Sequence, residues 1–168
     1  MDAVINETFS FAPERFREAM SRVGSAVHIV TTGGAAGSAG VTANAVTSVT
    51  AEPPTMLFCL NKTSRAAPLM VQNGVFCINT LASAHQELSD IFAGRTEHTL
   101  EERFAAATWN KLATGAPVLA SALAAFDCRL MEVKEMSTHL ILIGLVEAVE
   151  IAPRGEALLY MHRAYQQI

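Results

Sequence analysis

The chain has 168 residues, a size that one hydrophobic core usually organises, so a single domain over 1–168 is expected. It is 51% apolar and only 17% charged against a usual charged share of about 25%, which excludes disorder as its main state. Its 12 basic and 16 acidic residues give a net charge of −4, the wrong sign for gripping a phosphate backbone, so nucleic acid is not an expected partner. So much apolar surface on a small domain calls for cover by a partner subunit or a bound cofactor, and a homodimer is expected. Residues 1–12 carry Asp2 and Glu7 with no basic start and apolar stretch, so no signal peptide is read there. No apolar run approaches the roughly 20 residues of a spanning helix, and a cytoplasmic protein without membrane contact is expected. Cys59, Cys77 and Cys128 are odd in number, far apart and set in apolar runs, which disfavours disulfides and CxxC metal sites.

In chain order, Pro13 to Gly24 reads as a helix, with Phe16, Ala19, Met20 and Val23 at helical spacing between a leading proline and a closing glycine. Three strands follow, at Ala26 to Thr32, Ala39 to Val49 and Thr55 to Leu60, broken by the glycine cluster at 33 to 40 and by Pro53-Pro54. Ser64 to Asn73 forms a short helix ending at Gly74, Val75 to Thr80 returns to strand, and Ala84 to Ala93 is helical up to Gly94. Arg95 to Pro117 is expected to be a connection laid on the surface, with a capped helix at Thr99 to Phe104. Leu123 to Val133, Thr138 to Val149 and Ala157 to Met161 complete the pattern as a β-meander. The elements do not alternate strand and helix, so the expected fold is mainly β: a closed or split antiparallel barrel with short peripheral helices.

Metal and hydrolase chemistries find little support. His28, His85, His98, His139 and His162 are scattered without HExxH spacing, and no serine sits in a GxSxG elbow. The glycines at 33 to 40 precede a strand rather than a helix, so they read as a hairpin, not a dinucleotide loop. Thr42-Ala-Asn-Ala-Val-Thr-Ser48 is more informative, because small side chains let a flat ring lie against a strand whose N–H groups can bind its polar edge. Asn61-Lys-Thr-Ser64 offers an amide, a cation and two hydroxyls just before a helix, where phosphate is favoured. Together they could hold a flavin mononucleotide. By composition alone the plainer readings, a Ser/Thr strand and a helix cap, are the stronger.

A longer pattern changes that balance. Phe16-Arg-Glu-Ala-Met20, Thr42 to Val49, Pro53 to Asn61, Asn79-Thr-Leu81, Phe92-Ala-Gly94, Glu102-Arg-Phe104, Gly115-Ala-Pro117, Ser137-Thr-His139, Tyr160 and Arg163-Ala-Tyr165 occur in order across nearly the whole chain. In this order and spacing the sequence resembles the short-chain flavin reductases. These include the reductase components of two-component flavin monooxygenases and a related corrinoid reductase.

The resemblance implies a dimeric, FMN-binding split β-barrel of Greek-key type that reduces FMN, with FAD as an open second flavin, using NADH or NADPH. Carried over by position, Thr42, Ala43, Asn44, Ala45, Val46, Thr47 and Ser48 would meet the isoalloxazine ring. Asn61, Lys62 and Ser64 would serve the ribityl phosphate, and Phe92 and Gly94 would border the ring. His139 would stand beside the nicotinamide, and Arg163 with Tyr165 would close the site. The chain departs from the pattern at Ser137, where many relatives have glycine, and at Gln166, where many have histidine. Hydride transfer needs two stacked flat rings and no general base, so the lack of an acid–base constellation agrees with a flavin reductase feeding a partner monooxygenase. Electron delivery to another acceptor such as a cobalt corrinoid, or a purely flavin-binding module, remains open at this point. No basic cluster for a 2′-phosphate stands out, which favours NADH.

Overall fold

A computed structural model describes residues 10–168. The reading of residues 1–12 as lacking a signal peptide falls mostly outside them. α1 (Pro13–Ser21) stops before the expected Gly24, with Arg22 and Val23 continuing only as a turn onto Ala19 and Met20 carbonyls. Then come β1 (Ser25–Ala26), β2 (His28–Thr32), β3 (Ala39–Ala43), β4 (Val46–Ala51) and β5 (Pro54–Asn61). After them lie α2 (Ala66–Asn73), β6 (Val75–Thr80), a 3₁₀ turn (Ser83–His85), α3 (Gln86–Phe92) and α4 (Leu100–Ala105). The chain ends with β7 (Trp109–Lys111), β8 (Pro117–Leu119), β9 (Ala124–Met136), β10 (His139–Ile151), β11 (Leu158–Met161) and β12 (Ala164–Gln167).

Seven strands form the main antiparallel sheet in the order β3-β2-β6-β9-β10-β5-β4, and β1-β11-β12 and β7-β8 form two smaller ones. Three of the six neighbour pairs in the large sheet, β2-β6, β6-β9 and β10-β5, are out of chain order, as in a Greek key. The expected strand at Ala39 to Val49 is two strands, because β3 and β4 lie on opposite edges of the seven-stranded sheet. Flat, seven strands about 4.8 Å apart would put those edges about 29 Å from each other. Only Asn44 and Ala45 join them, with a reach of about 3.5 Å per residue, so the sheet must roll until its edges approach. The Ala45 carbonyl holds the corner by accepting the Cys59 N–H at 3.0 Å. The result is a split barrel, not a closed one.

Inside the roll, Val30, Phe58, Leu60, Phe76, Ile78 and Leu142 pack with Met70 of α2. Phe76 takes the place a side chain on Gly144 would need, a Cβ there lying 2.5 Å from its ring. All five residues of β2 are buried, since its other face lies under a second cluster of Val27, Ile29, Leu88, Phe92 and Leu158. Burial on both faces explains why β2 does not alternate in exposure, and its buried Thr31 and Thr32 hydroxyls donate to the Pro117 and Val75 carbonyls.

One expectation is refined and another corrected. Arg95 to Pro117 lies on the surface until its end, where Ala116 and Pro117 turn inward; just beyond it Val118 and Leu119 are buried, and the buried Asn79 side chain accepts the Leu119 N–H at 2.7 Å while donating to Ile29 O at 3.0 Å. The end of the chain is not a plain meander, because β11 leaves β10 to pair with β1 and with the additional strand β12. The β11–β12 turn has φ of 53° at His162 and 60° at Arg163, the two left-handed positions of a tight type I′ hairpin.

Candidate functional site

The small side chains of β3 decide where the cavities lie. At Gly40 a Cβ would come within 2.6 Å of the Phe92 ring, so glycine is what lets α3 settle on this strand. Phe92 is locked in place, with Phe104 and Trp109 rings 5.4 and 5.5 Å away, edge-on. α3 ends at Ala93, and Gly94 turns the chain away with φ +73°. Two cavities run along β3 on either side of Ala93.

The first, of about 180 Å³, is lined by Val27, Thr42, Ala43, Asn44, Ala93, Arg95, Tyr160 and Tyr165. Its shape is fixed by hydrogen bonds. Thr42 donates to Ser89 O at 2.6 Å, and the Tyr165 hydroxyl donates to Asp90 Oδ1 at 3.0 Å while lying 2.9 Å from Ser89 Oγ. Arg95 bonds the same Asp90 oxygen at 2.7 Å and holds its guanidinium 5.6 Å from the centre of the Tyr165 ring. Burial pushes the Tyr165 phenol above its ordinary pKa, so it stays a neutral donor.

The second cavity, of about 330 Å³, is lined by Gly40, Val41, Ser64, Arg65, Ala66, Phe92, Ala93, Gly94, His98, Thr99, Leu100 and Arg103. Two arginines reach it from different elements, Arg65 from the start of α2 and Arg103 from α4. No Asp or Glu lines it, and neither arginine is ion-paired among the described residues. α4 begins with a reciprocal cap: the Thr99 N–H donates to Glu102 Oε2 at 2.7 Å, and Thr99 Oγ1 accepts the Glu102 N–H at 3.3 Å. The Thr99 N–H holds the Glu102 carboxyl below its ordinary pKa.

Thr42, Ala43, Asn44, Ser64, Phe92, Gly94 and Tyr165 are thus brought to one stretch of surface. Ala45 forms the barrel corner, while Val46, Thr47 and Ser48 line a separate, largely apolar groove with His28, Met56, Phe126 and Val149. Asn61 closes its own turn, its Oδ1 accepting the Thr63 N–H at 2.9 Å, and lies opposite His139 in the β5–β10 register. Lys62 Nζ is 2.5 Å from Glu135, on the β9–β10 arm and away from both cavities. His139 is exposed at the start of β10, its Nδ1 2.9 Å from the Thr138 hydroxyl. Arg163 pairs with Glu18 of α1 at 3.0 Å.

Sequence reasoning gave no site role to Arg65, Arg95, Arg103 or Tyr160, although Arg103 and Tyr160 stand within the motifs quoted above. Arg65 directly follows Ser64 at a helix start, and Arg103 sits inside the Glu102-Arg-Phe104 motif. Only the packing of α4 against α3 brings Arg103 to the same cavity as Arg65.

Residues 20–168 match the family described as flavin reductase like domain. The chain belongs to this family. This flavin reductase-like chain is 52% identical over 151 residues to the protein named FMN reductase (NADH) RutF 2 of Methylorubrum extorquens strain PA1, an alignment covering 90% of this chain and 87% of that one. Its fold superposes with a TM-score of 0.89 on a solved structure from Haemophilus somnus 129PT, a candidate flavin reductase 43% identical, covering 94% of this chain and all of that one. With BorF, the flavin reductase component of a bacterial two-component tryptophan halogenase, the TM-score is 0.86 at 28% identity, covering 94% and 98%. No described helix is long and apolar enough to cross a membrane, and no described cluster of His, Cys, Asp or Glu could hold a metal ion.

Proposed function

We propose that this chain is an NADH-dependent FMN reductase that delivers reduced flavin to a partner flavin-dependent monooxygenase. The observation that carries the reading is the pair of cavities meeting at Ala93, one small-walled and aromatic, the other bordered by two unpaired arginines. FMN has the same polarity, a flat ring at one end and a phosphate dianion at the other, so the donor set fits the group. When bound, FMN supplies the hydride acceptor.

The chain's own residues bind and position. Thr42, Ala43, Asn44 and Ala93 offer a flat wall, Tyr160 and Tyr165 border it, and Phe92 backs it. Ser64 and Arg65 face the phosphate end with Gly94, and Asn61 orders the turn that leads into them. Lys62 lies outside both cavities and spends its charge on Glu135. Ala45, Val46, Thr47 and Ser48 carry the strand on toward the groove at the subunit boundary, and Arg163 steadies the turn that presents Tyr165. His139, at a strand mouth opposite Asn61, orients the nicotinamide and takes no proton from it. The names of the curated relatives support NADH as donor, and the description of BorF supports a two-component partnership. The apolar groove and the free edge of β4 support a homodimer, and the absence of a membrane-crossing helix among the described residues accords with a cytoplasmic enzyme.

Anaerobic addition of NADH to the FMN-loaded protein should bleach the flavin absorbance. His139→Ala should slow single-turnover bleaching by roughly 10-fold, about 1.4 kcal/mol, with FMN affinity unchanged. Flavin that binds but is not reduced by NADH or NADPH would instead mark a binding module.

A further inference from the structure

We infer that Arg103 of α4 is the residue that reads the flavin phosphate, and so sets the preference for FMN over phosphate-free riboflavin. This rests on the flavin reading above and names a ligand contact within it. Three observations lead to Arg103. First, it and Arg65 approach one cavity from two elements far apart in sequence, and no carboxylate lines that cavity. In a chain with more acidic than basic residues, most arginines find a carboxylate: Arg17, Arg22, Arg95, Arg129 and Arg163 all do. Two unpaired arginines facing the same space leave positive charge uncompensated there, which a phosphate dianion would neutralise.

Second, the nearest carboxylate in sequence is withheld. Glu102 adjoins Arg103 but spends Oε2 on the Thr99 N–H, so the capping box both starts α4 and keeps an anion off the cavity. Third, the guanidinium is oriented before any ligand arrives. Arg103 Nε donates to the His98 carbonyl at 3.3 Å, which leaves both terminal nitrogens for a bidentate contact, and one of them lies 3.6 Å from where a Cβ on Gly94 would stand. Gly94 thus places the backbone turn after α3 beside the guanidinium. Lys62, the cation a sequence motif would nominate, is occupied by Glu135.

The experiment compares FMN and riboflavin binding by fluorescence titration of wild type, Arg103→Gln and Arg103→Lys. Riboflavin reports on the ring site and serves as the folding control in each variant. Arg103→Gln should weaken FMN binding at least 10-fold while riboflavin affinity stays within twofold of wild type, and Arg103→Lys should recover most of the loss. The FMN-to-riboflavin affinity ratio should also fall with added salt in wild type more steeply than in Arg103→Gln. Equal loss for both flavins, or no loss for either, overturns the assignment of Arg103 and leaves the flavin reading standing. Wild-type protein that binds neither flavin overturns the flavin reading itself.

Discussion

His28 sits on β2 with its ring enclosed, its Nδ1 3.1 Å from the Thr80 hydroxyl, and burial lowers its pKa from 6.5 to about 4. The native state keeps the imidazole neutral, whereas an unfolded chain takes up a proton below about pH 6.5. The penalty is therefore absent above pH 6.5, grows as pH falls, and is complete near pH 4, where it amounts to about 3 kcal/mol. His85 shifts in the same direction, also by burial. Urea unfolding should lose stability over that window, and His28→Gln should flatten the dependence; an unchanged slope in the variant would place the acid sensitivity elsewhere. The two buried thiols are inert by the same physics: burial pushes Cys77 upward and Cys128 up to about 12.

Between elements, the contact that builds the site is α3 on β3. Gly40→Ala would drive a methyl group into Phe92, whose ring cannot swing aside because Phe104 and Trp109 enclose it. The expected cost is about 1 to 3 kcal/mol, read as a lower melting temperature, together with weaker FMN binding because Gly40 and Phe92 line the same cavity. A variant with wild-type stability and affinity would mean that α3 can shift without consequence. The β9–β10 hairpin shows a smaller strain: Ser137 adopts φ 51°, a left-handed position where glycine is favoured.

For the whole molecule, the unfinished feature is the apolar face around β4 and the end of β10. Val49, Val149 and Ile151 are 52%, 54% and 78% exposed, and Val149 borders the groove with Met56 and Phe126. Among the described residues β4 is also an edge strand of the large sheet, so this face has both apolar surface and an edge to offer. A second copy covering it should bury on the order of 2,000 Å² in total. Sedimentation equilibrium should give a dimer at micromolar concentration, and Val149→Glu should weaken it by 100-fold or more, since a carboxylate would be buried without a partner. A folded wild-type monomer under these conditions would contradict the dimer.

Much of this was legible in the chain before any coordinates. Local signals carry α4's cap at Thr99, the hairpin at the glycine cluster, and helix ends at Gly74 and Gly94, because capping and left-handed turns depend on a few adjacent residues. The small residues of Thr42 to Ser48 suggested a wall for a flat ring, of which Thr42, Ala43 and Asn44 line the first cavity while Val46, Thr47 and Ser48 line a separate groove, and the ordered motifs pointed to the family. Tertiary structure alone decided that Ala39 to Val49 breaks at Asn44–Ala45, since only the rolled sheet puts its two halves on opposite edges. It alone decided which cations face the cavity: Lys62 and Arg65 are three residues apart, yet one meets Glu135 from β9 while the other meets a space shared with Arg103. Composition and spacing state which charges a chain owns, but which of them are neutralised depends on partners tens of residues away, and only the fold brings those into range.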